Sequence, residues 1–148
     1  MLSNTCKYAL RAIIYIGINS KSGKNINVRT IASELDVPMQ FLSKILQVFV
    51  HKQILDSVKG PHGGFSFRKD PYEINLWDVI EIIDGPTLFE HCIIGKRPCN
   101  SHDNTQKKCP VHDNYSFVRK DLEIFFKNES FGKIIESFDE KSHDFLAL

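Results

Sequence analysis

The chain has 148 residues, of which 42% are hydrophobic and 25% charged, so it can bury a core of ordinary size and is of single-domain length. No apolar run approaches the roughly 18 residues of a membrane span, and the N-terminus lacks a signal peptide's basic region, which predicts a cytoplasmic protein without membrane contact. The net charge of +1 hides an asymmetry, since residues 1–70 carry +6 and residues 71–148 carry −5. A basic head of this kind favours a polyanionic partner, although charges also segregate by chance.

Three helices are predicted in the basic half. Apolar residues recur at helical spacing over 5–19, over 28–35 and over 38–52. Pro38 separates the second helix from the third, because proline disfavours helix before it and suits the first turn after it. The apolar stripe of the third helix is expected to consist of Phe41, Leu42, Ile45, Leu46 and Phe49.

A β-hairpin is predicted to follow. Residues 55–59 and 65–68 read as short strands, and the segment between them contains three glycines and a proline. A short helix, a tight turn, a longer helix and a glycine-rich hairpin together form a winged helix-turn-helix. The expected fold class is therefore mainly α with a small β-hairpin wing.

The acidic half is predicted to contain more helices around an irregular, cysteine-rich loop. Asn75 is expected to cap a helix over 76–84, and residues 89–113 are expected to be irregular. A long helix is predicted over 114–127, followed by a short helix capped by Ser130. The long helix carries an apolar stripe that a small head could not bury fully, namely Val118, Leu122, Phe125 and Phe126.

The third helix and the wing are the candidate DNA-reading elements, because an α-helix fits the major groove and its off-core side chains can reach base edges. The candidate reading residues are Met39, Gln40, Ser43, Lys44 and Gln47. The wing offers a tip of small residues that can approach the DNA closely, with Lys59, Gly60, Pro61 and His62. Phosphate contacts are expected from Arg11, Arg29, Lys52 and Arg68. The competing interpretation is a solvated polar surface or a wing that binds protein.

Three cysteines and a histidine form the candidate metal site. The pattern Cys-x6-Cys-x9-Cys-x2-His consists of Cys92, Cys99, Cys109 and His112. Thiolates are the usual ligands of iron–sulfur clusters, histidine can replace one of them, and the same donors suit zinc. The alternatives are a structural zinc, a redox-formed disulfide or metal-free thiols. Cys6 falls inside the first helix, which favours a packed residue over a ligand.

The chain resembles the Rrf2 family of bacterial regulators, which includes the IscR-type iron–sulfur regulators and the NsrR-type nitric oxide sensors. The resemblance rests on RTIASELDVPMQFLSKIL at 29–46 and VKGPHGGF at 58–65, with KYALR at 7–11 and INLWDVI at 74–80. It extends over nearly the whole chain, to about residue 138. The spacing between Cys99 and Cys109 is longer here than in the best-known members of the family.

The resemblance implies a homodimer whose long C-terminal helix crosses to the partner and which binds pseudo-palindromic promoter DNA, usually to repress. It also implies an iron–sulfur cluster, two-iron or four-iron, in the loop before that helix. Residues 1–72 would then be the DNA-binding head, and residues 73–148 would hold the sensor loop at about 89–113 and the dimerisation helices. The rival functions are a cluster-free regulator that senses through zinc, thiol oxidation or a small molecule, and an iron–sulfur electron-transfer protein. The sequence offers no catalytic constellation and predicts that the protein is not an enzyme.

Overall fold

The computed structural model describes residues 2–20, 23–95 and 109–138. This part of the chain is mainly helical, with one two-stranded antiparallel hairpin. The α-helices are α1 (Asn4–Asn19), α2 (Val28–Glu34), α3 (Met39–His51), α4 (Leu76–Ile83), α5 (Thr87–Glu90), α6 (His112–Asn128) and α7 (Phe131–Ser137), and the strands are β1 (Leu55–Val58) and β2 (Gly64–Phe67). A short 3-10 helix spans Pro71–Glu73. Among the described helices, none is long and apolar enough to cross a bilayer.

The first three helices pack as a helix-turn-helix around one core. Asn27 caps α2 by accepting a hydrogen bond from the backbone N–H of Arg29 at 2.8 Å. Asp36, in the turn between α2 and α3, has a left-handed φ of 52°, and this conformation lets the chain reverse tightly. The core face of α3 consists of Leu42, Ile45, Leu46 and Phe49.

Phe41 was predicted to belong to this buried stripe, and that prediction is wrong. Its side chain is 38% exposed and packs edge-on against Tyr8 of α1, with ring centroids 6.0 Å apart. The ring of Phe41 therefore contacts α1 at the edge of the buried core. The remaining predicted stripe residues are buried.

The hairpin forms a wing that is fixed to the head. Its register pairs Leu55 with Phe67 and Val58 with Gly64. Phe65 also exchanges backbone hydrogen bonds with Ile26, at 2.8 and 2.9 Å, so the chain before α2 adds a third strand-like segment beside β2. Gly64 has a φ of 151°, and a Cβ there would lie 2.3 Å from the Ile26 carbonyl oxygen. Only glycine therefore allows the wing to pack this closely.

The C-terminal helices return to the head. The backbone N–H of Leu76 donates to the Glu129 carbonyl at 2.9 Å, and that of Phe131 donates to the Ile74 carbonyl at 2.8 Å. These bonds join the start of α4 to the start of α7, and they bring Phe131 and Ile135 into the same core as α1 and α3. The division of the chain at about residue 72 stays a prediction.

Residues 89–113 were predicted to be irregular, and the structure corrects both ends of this segment. Helix α5 occupies Thr87–Glu90, because the Pro86 carbonyl accepts hydrogen bonds from the N–H groups of Phe89 and Glu90. Helix α6 begins at His112, two residues earlier than predicted, because the carbonyls of Cys109 and Val111 accept its first hydrogen bonds. Cys99 lies outside the described residues.

A small second core joins the start of α1 to α4 and α5. Its buried members are Cys6, Ile80 and Phe89. The Phe89 ring lies 4.2 Å from that of Trp77 and 5.9 Å from that of Phe126 of α6, measured between ring centroids. This second core is the packed region directly before the cysteine loop.

Candidate DNA interface and thiol site

The outer face of α3 presents the residues predicted to read DNA. Met39, Gln40, Lys44 and Gln47 are exposed, and Ser43 is half-buried. The opposite face of the helix is buried in the head, so the backbone of α3 is held firmly while these side chains extend from it. This is the geometry that insertion of a helix into the major groove requires.

The tip of the wing is a compact, exposed turn. Lys59, Gly60, Pro61 and His62 are all exposed, and their contact with DNA stays a prediction. The backbone N–H of Gly63 donates to the Gly60 carbonyl at 2.9 Å and closes the turn. The glycines of the wing therefore serve its internal packing as well as a small tip.

The four arginine and lysine residues predicted to bind phosphates differ in exposure and in the bonds that they already form with other protein groups. Arg29 and Lys52 are exposed. Arg68 is exposed and lies 3.5 Å from the carboxylate of Asp56, in a half-exposed pair that costs little to open. Arg11 is half-buried, and its Nη2 donates to the Leu35 carbonyl at 3.0 Å. Arg11 therefore links α1 to the end of α2, and any phosphate contact would use its remaining donors.

Helix α6 carries an apolar face that the described part of the chain leaves open to solvent. Of its residues only His112 is buried. Its exposed apolar side chains lie within an arc of about 160°, since successive residues of an α-helix are 100° apart. They are Phe117, Val118, Leu122, Ile124 and Phe125. Phe117 is 70% exposed and Phe125 is 51% exposed. A contiguous exposed apolar face is typical of an interaction surface.

The sequence interpretation named Val118, Leu122 and Phe125 for this face but missed Phe117 and Ile124. The seven-residue spacing between Phe117 and Ile124 places both at the edge of the same stripe and could have revealed them. Phe126, which was assigned to the stripe, is half-buried and packs against Phe89 on the head side of α6.

Two of the predicted metal ligands lie side by side. Cys92, just after α5, donates a hydrogen bond from its thiol to the sulfur of Cys109, just before α6, with the two sulfurs 3.4 Å apart. Both residues are half-buried, and neither forms a disulfide. The fold thus brings together two thiols that are 17 residues apart in the sequence.

His112 takes a different position. It is buried in the first turn of α6, and its backbone N–H donates to the Cys109 carbonyl at 3.0 Å. Within residues 2–20, 23–95 and 109–138, no three histidine, cysteine, aspartate or glutamate side chains form a group that could hold a metal ion. The structure therefore does not group the His112 side chain with Cys92 and Cys109 as a set of three ligands.

The two thiols fit a metal centre as a pair. Two thiolates on one tetrahedral ion with bonds of about 2.3 Å lie about 3.8 Å apart. The observed 3.4 Å between the sulfurs of Cys92 and Cys109 is close to that value, so a small movement would let both bind one zinc ion or one iron of a cluster. The thiolate donors are those that both groups prefer.

Cys6 belongs to a different environment. It is fully buried in the second core, and burial, with a smaller effect of the Asp84 carboxylate, raises the pKa of its thiol to about 12. Asp84 accepts hydrogen bonds from the backbone N–H and the hydroxyl of Ser3, the N-cap of α1. Cys6 is therefore a packed neutral thiol, as predicted, and far from the reactive thiolate form.

Comparison with known proteins supports the fold and the resemblance. Residues 2–137 match the family model Rrf2, described as an iron-dependent transcriptional regulator. The chain is 30% identical over 141 residues, 95% of its length and 94% of the relative's, to a protein of Aquifex aeolicus assigned as an HTH-type transcriptional regulator. It is 25% identical over 136 residues, 92% of its length and 80% of the relative's, to the HTH-type transcriptional regulator IscR of Cronobacter sakazakii.

A solved structure has the same fold. CymR, the global cysteine regulator of B. subtilis, superposes with a TM-score of 0.78 at 14% identity, over 94% of this chain and 98% of that one. The helix-turn-helix and the hairpin thus form a winged-helix head. The chain belongs to the Rrf2 family of transcriptional regulators, whose members bind DNA and are not enzymes, as the sequence predicted.

Proposed function

We propose that the protein is a homodimeric repressor that binds pseudo-palindromic promoter DNA in the bacterial cytoplasm. Residues 1–72 would form the reading head and residues 73–148 the sensing and dimerisation part. The exposed outer face of α3, the compact wing tip and the charge of +6 on residues 1–70 support this assignment. Gln40 and Gln47 would contact base edges, and Lys44, Arg29 and Lys52 would contact phosphates.

The open apolar face of α6 supports the homodimer. A two-fold axis beside this helix would bury the same residues of both subunits against each other and would place two reading heads on one duplex. Phe117 and Phe125, which are both more than half exposed, would then contribute apolar burial twice per dimer.

Sensing is assigned to the cysteine loop. The observation that carries this proposal is the pairing of the Cys92 and Cys109 sulfurs at 3.4 Å between α5 and α6. These two thiolates would hold an iron–sulfur cluster together with Cys99 and His112, with a two-iron or a four-iron cluster equally open. When bound, a cluster supplies reversible redox chemistry and reacts with oxygen or nitric oxide. The chain's own contribution would be to hold the end of α5 and the start of α6 together.

The second candidate is a cluster-free regulator that senses through zinc, thiol oxidation or a small molecule. The closeness of the same two sulfurs favours it as well, because two thiols at this distance suit one zinc ion or a disulfide. The chain is similar in fold to a cysteine regulator and in sequence to an IscR, so these similarities do not choose between the candidates. An iron–sulfur electron-transfer protein would leave the exposed reading face of α3 without a role.

Anaerobic purification followed by a visible spectrum and by iron, sulfide and zinc analysis tests the proposal. A thiolate-held cluster absorbs between about 300 and 450 nm and brings matching iron and sulfide. Cys92→Ser and Cys109→Ser should each abolish this absorption, whereas Cys6→Ser is the matched control and should retain it. A colourless wild type that contains one zinc per chain, or that resists reconstitution, would replace the cluster by the second candidate.

DNA binding is tested separately with duplexes selected from a random pool. Nanomolar affinity that falls steeply with salt, and an inverted repeat among the selected sequences, would support the repressor. Selection of no common sequence would contradict it, whatever the metal content.

A further inference from the structure

We propose that Cys92 and Cys109 form a reversible disulfide when the loop holds no metal, and that this bond shifts the second core on which the DNA-binding head rests. The inference rests on the regulatory function proposed above and adds a second chemical state of the same site.

The distance between the sulfurs carries the first step. A disulfide bond is about 2.04 Å long, so the sulfurs at 3.4 Å must approach by about 1.4 Å. Rotation of the side chains and a small shift of the loop backbone provide a movement of this size. The thiol of Cys92 already points at the sulfur of Cys109, since it donates its hydrogen bond there.

The surroundings of the pair carry the second step. Cys92 follows Phe89 by three residues, and Phe89 packs against Trp77 in the second core. The carbonyl of Cys109 accepts the hydrogen bond of His112 at the start of α6. A bond between the two sulfurs therefore ties the residues that follow α5 to the start of α6. The approach of Cys92 to Cys109 would then displace Phe89 and change its ring contacts.

The second core reaches the DNA-binding head through α1. Cys6 of α1 is fully buried beside Ile80 and Phe89, and Ser3 at the same end of α1 is held by Asp84. A displacement of Phe89 thus acts on the start of α1, the helix against which the core face of α3 packs. The second core and α1 therefore lie between the thiol pair and the reading helix.

The chemistry balances with a hydroperoxide as oxidant. One thiolate attacks the terminal oxygen of hydrogen peroxide, an S–O bond forms, the O–O bond breaks, and the leaving hydroxide is protonated to water. The second thiolate then attacks the sulfenic sulfur, the S–S bond forms, the S–O bond breaks, and a second water leaves. The two thiols together lose two electrons and two protons, and the peroxide is reduced to two molecules of water.

The test uses the full chain, stripped of metal with a chelator under anaerobic, reducing conditions and then treated with equimolar hydrogen peroxide. Peptide mapping should identify the Cys92–Cys109 crosslink in monomeric chains, and dithiothreitol should remove it. Cys92→Ser and Cys109→Ser should lose the crosslink, and Cys99→Ser and Cys6→Ser should retain it. A crosslink that involves Cys99, or one that joins two chains, would overturn the assignment.

Trp77 is the single tryptophan of the chain, so its fluorescence reports on the displacement of the second core. Its emission should change on oxidation of the wild type and of Cys99→Ser, and it should stay constant in Cys92→Ser. A crosslink that leaves the emission of Trp77 unchanged would overturn the shift of the second core. A chain that loads a cluster yet forms no disulfide after stripping would refute this inference and leave the proposed function standing. A chain that forms the disulfide but loads no cluster would refute the proposed cluster and leave this inference standing.

Discussion

Helices α3 and α6 are both amphipathic, but they leave opposite kinds of surface exposed. The core face of α3 is packed into the head, and its outer face carries Gln40, Lys44 and Gln47. The head side of α6 is only half-buried, and its outer face carries Phe117 and Phe125. The chemistry of each exposed face indicates its partner: amide and lysine side chains suit a hydrated polyanion, and an apolar face suits protein.

The largest effect is expected from charges on the outer face of α6. In the double variant Phe117→Asp and Phe125→Asp, the dimer should dissociate at least about ten-thousandfold more readily, since each buried phenylalanine contributes about 1.5–3 kcal/mol and each occurs twice per dimer. Both side chains are exposed in the single chain, so its circular dichroism should not change. Sedimentation equilibrium measures the dissociation constant.

The matched control is Lys120→Asp, which places a carboxylate at an exposed position of α6 outside the apolar arc. It should leave the dimer intact. If the double variant dimerises as tightly as the wild type, the apolar face of α6 is not the dimer interface, and the contrast with α3 loses its functional meaning.

The next effect concerns the rigidity of the head. Gly64→Ala should destabilise the protein by about 2 kcal/mol, or roughly 6 °C in Tm, because the new Cβ meets the Ile26 carbonyl and the φ of 151° is unfavourable for alanine. Gly60→Ala is the matched variant, with a φ of 110° and open space around the added carbon. Calorimetry should show the smaller loss for Gly60→Ala, and equal losses would mean that the pairing with Ile26 does not hold the wing.

Helices α1 to α3 and the hairpin could be predicted from sequence because their signals are local. Apolar spacing, Pro38 and the glycines around His62 each act within a few residues. The exposed position of Phe41 could not be predicted, because its ring packs on Tyr8, more than thirty residues away in the sequence. Periodicity places a residue on a face of a helix but does not show how much of that face the neighbouring helix covers.

The candidate thiol site was predictable in composition but not in geometry. The spacing of Cys92 and Cys109 indicates that both lie in one loop, whereas their contact depends on how α6 packs against α4 and α5. Helix α5 has only four residues, too few to show a period, and it forms where Phe89 is buried beside Trp77. The start of α6 at His112 depends in turn on the Cys109 carbonyl, a contact that has no signature in composition.

A smaller effect sharpens the assignment of the α3 face. Lys44→Ala should weaken binding to a selected duplex about tenfold and reduce the slope of log affinity against log salt by about two for a dimer, because one phosphate contact is lost per subunit. Lys133→Ala on α7 removes the same charge away from α3 and should change neither quantity. Titrations at several salt concentrations separate these outcomes, and an unchanged slope for Lys44→Ala would remove that residue from the interface.

The smallest expected effect distinguishes the buried thiol from the loop thiols. Burial raises the pKa of Cys6 from 9.0 to about 12, so at pH 9 an ordinary exposed thiol is half ionised while Cys6 stays almost entirely neutral. Because thiolates are the species that react with iodoacetamide, native Cys6 should remain unmodified at pH 9 and react only as the pH approaches 12 or the chain unfolds. Cys92 and Cys109, which are half-buried, should be modified first in the metal-free reduced protein.

Mass spectrometry of the labelled peptides measures the order in which the cysteines are modified. Early labelling of Cys6 would show that the second core opens in the native state, and a core that opens so readily could not carry a displacement from the loop to α1.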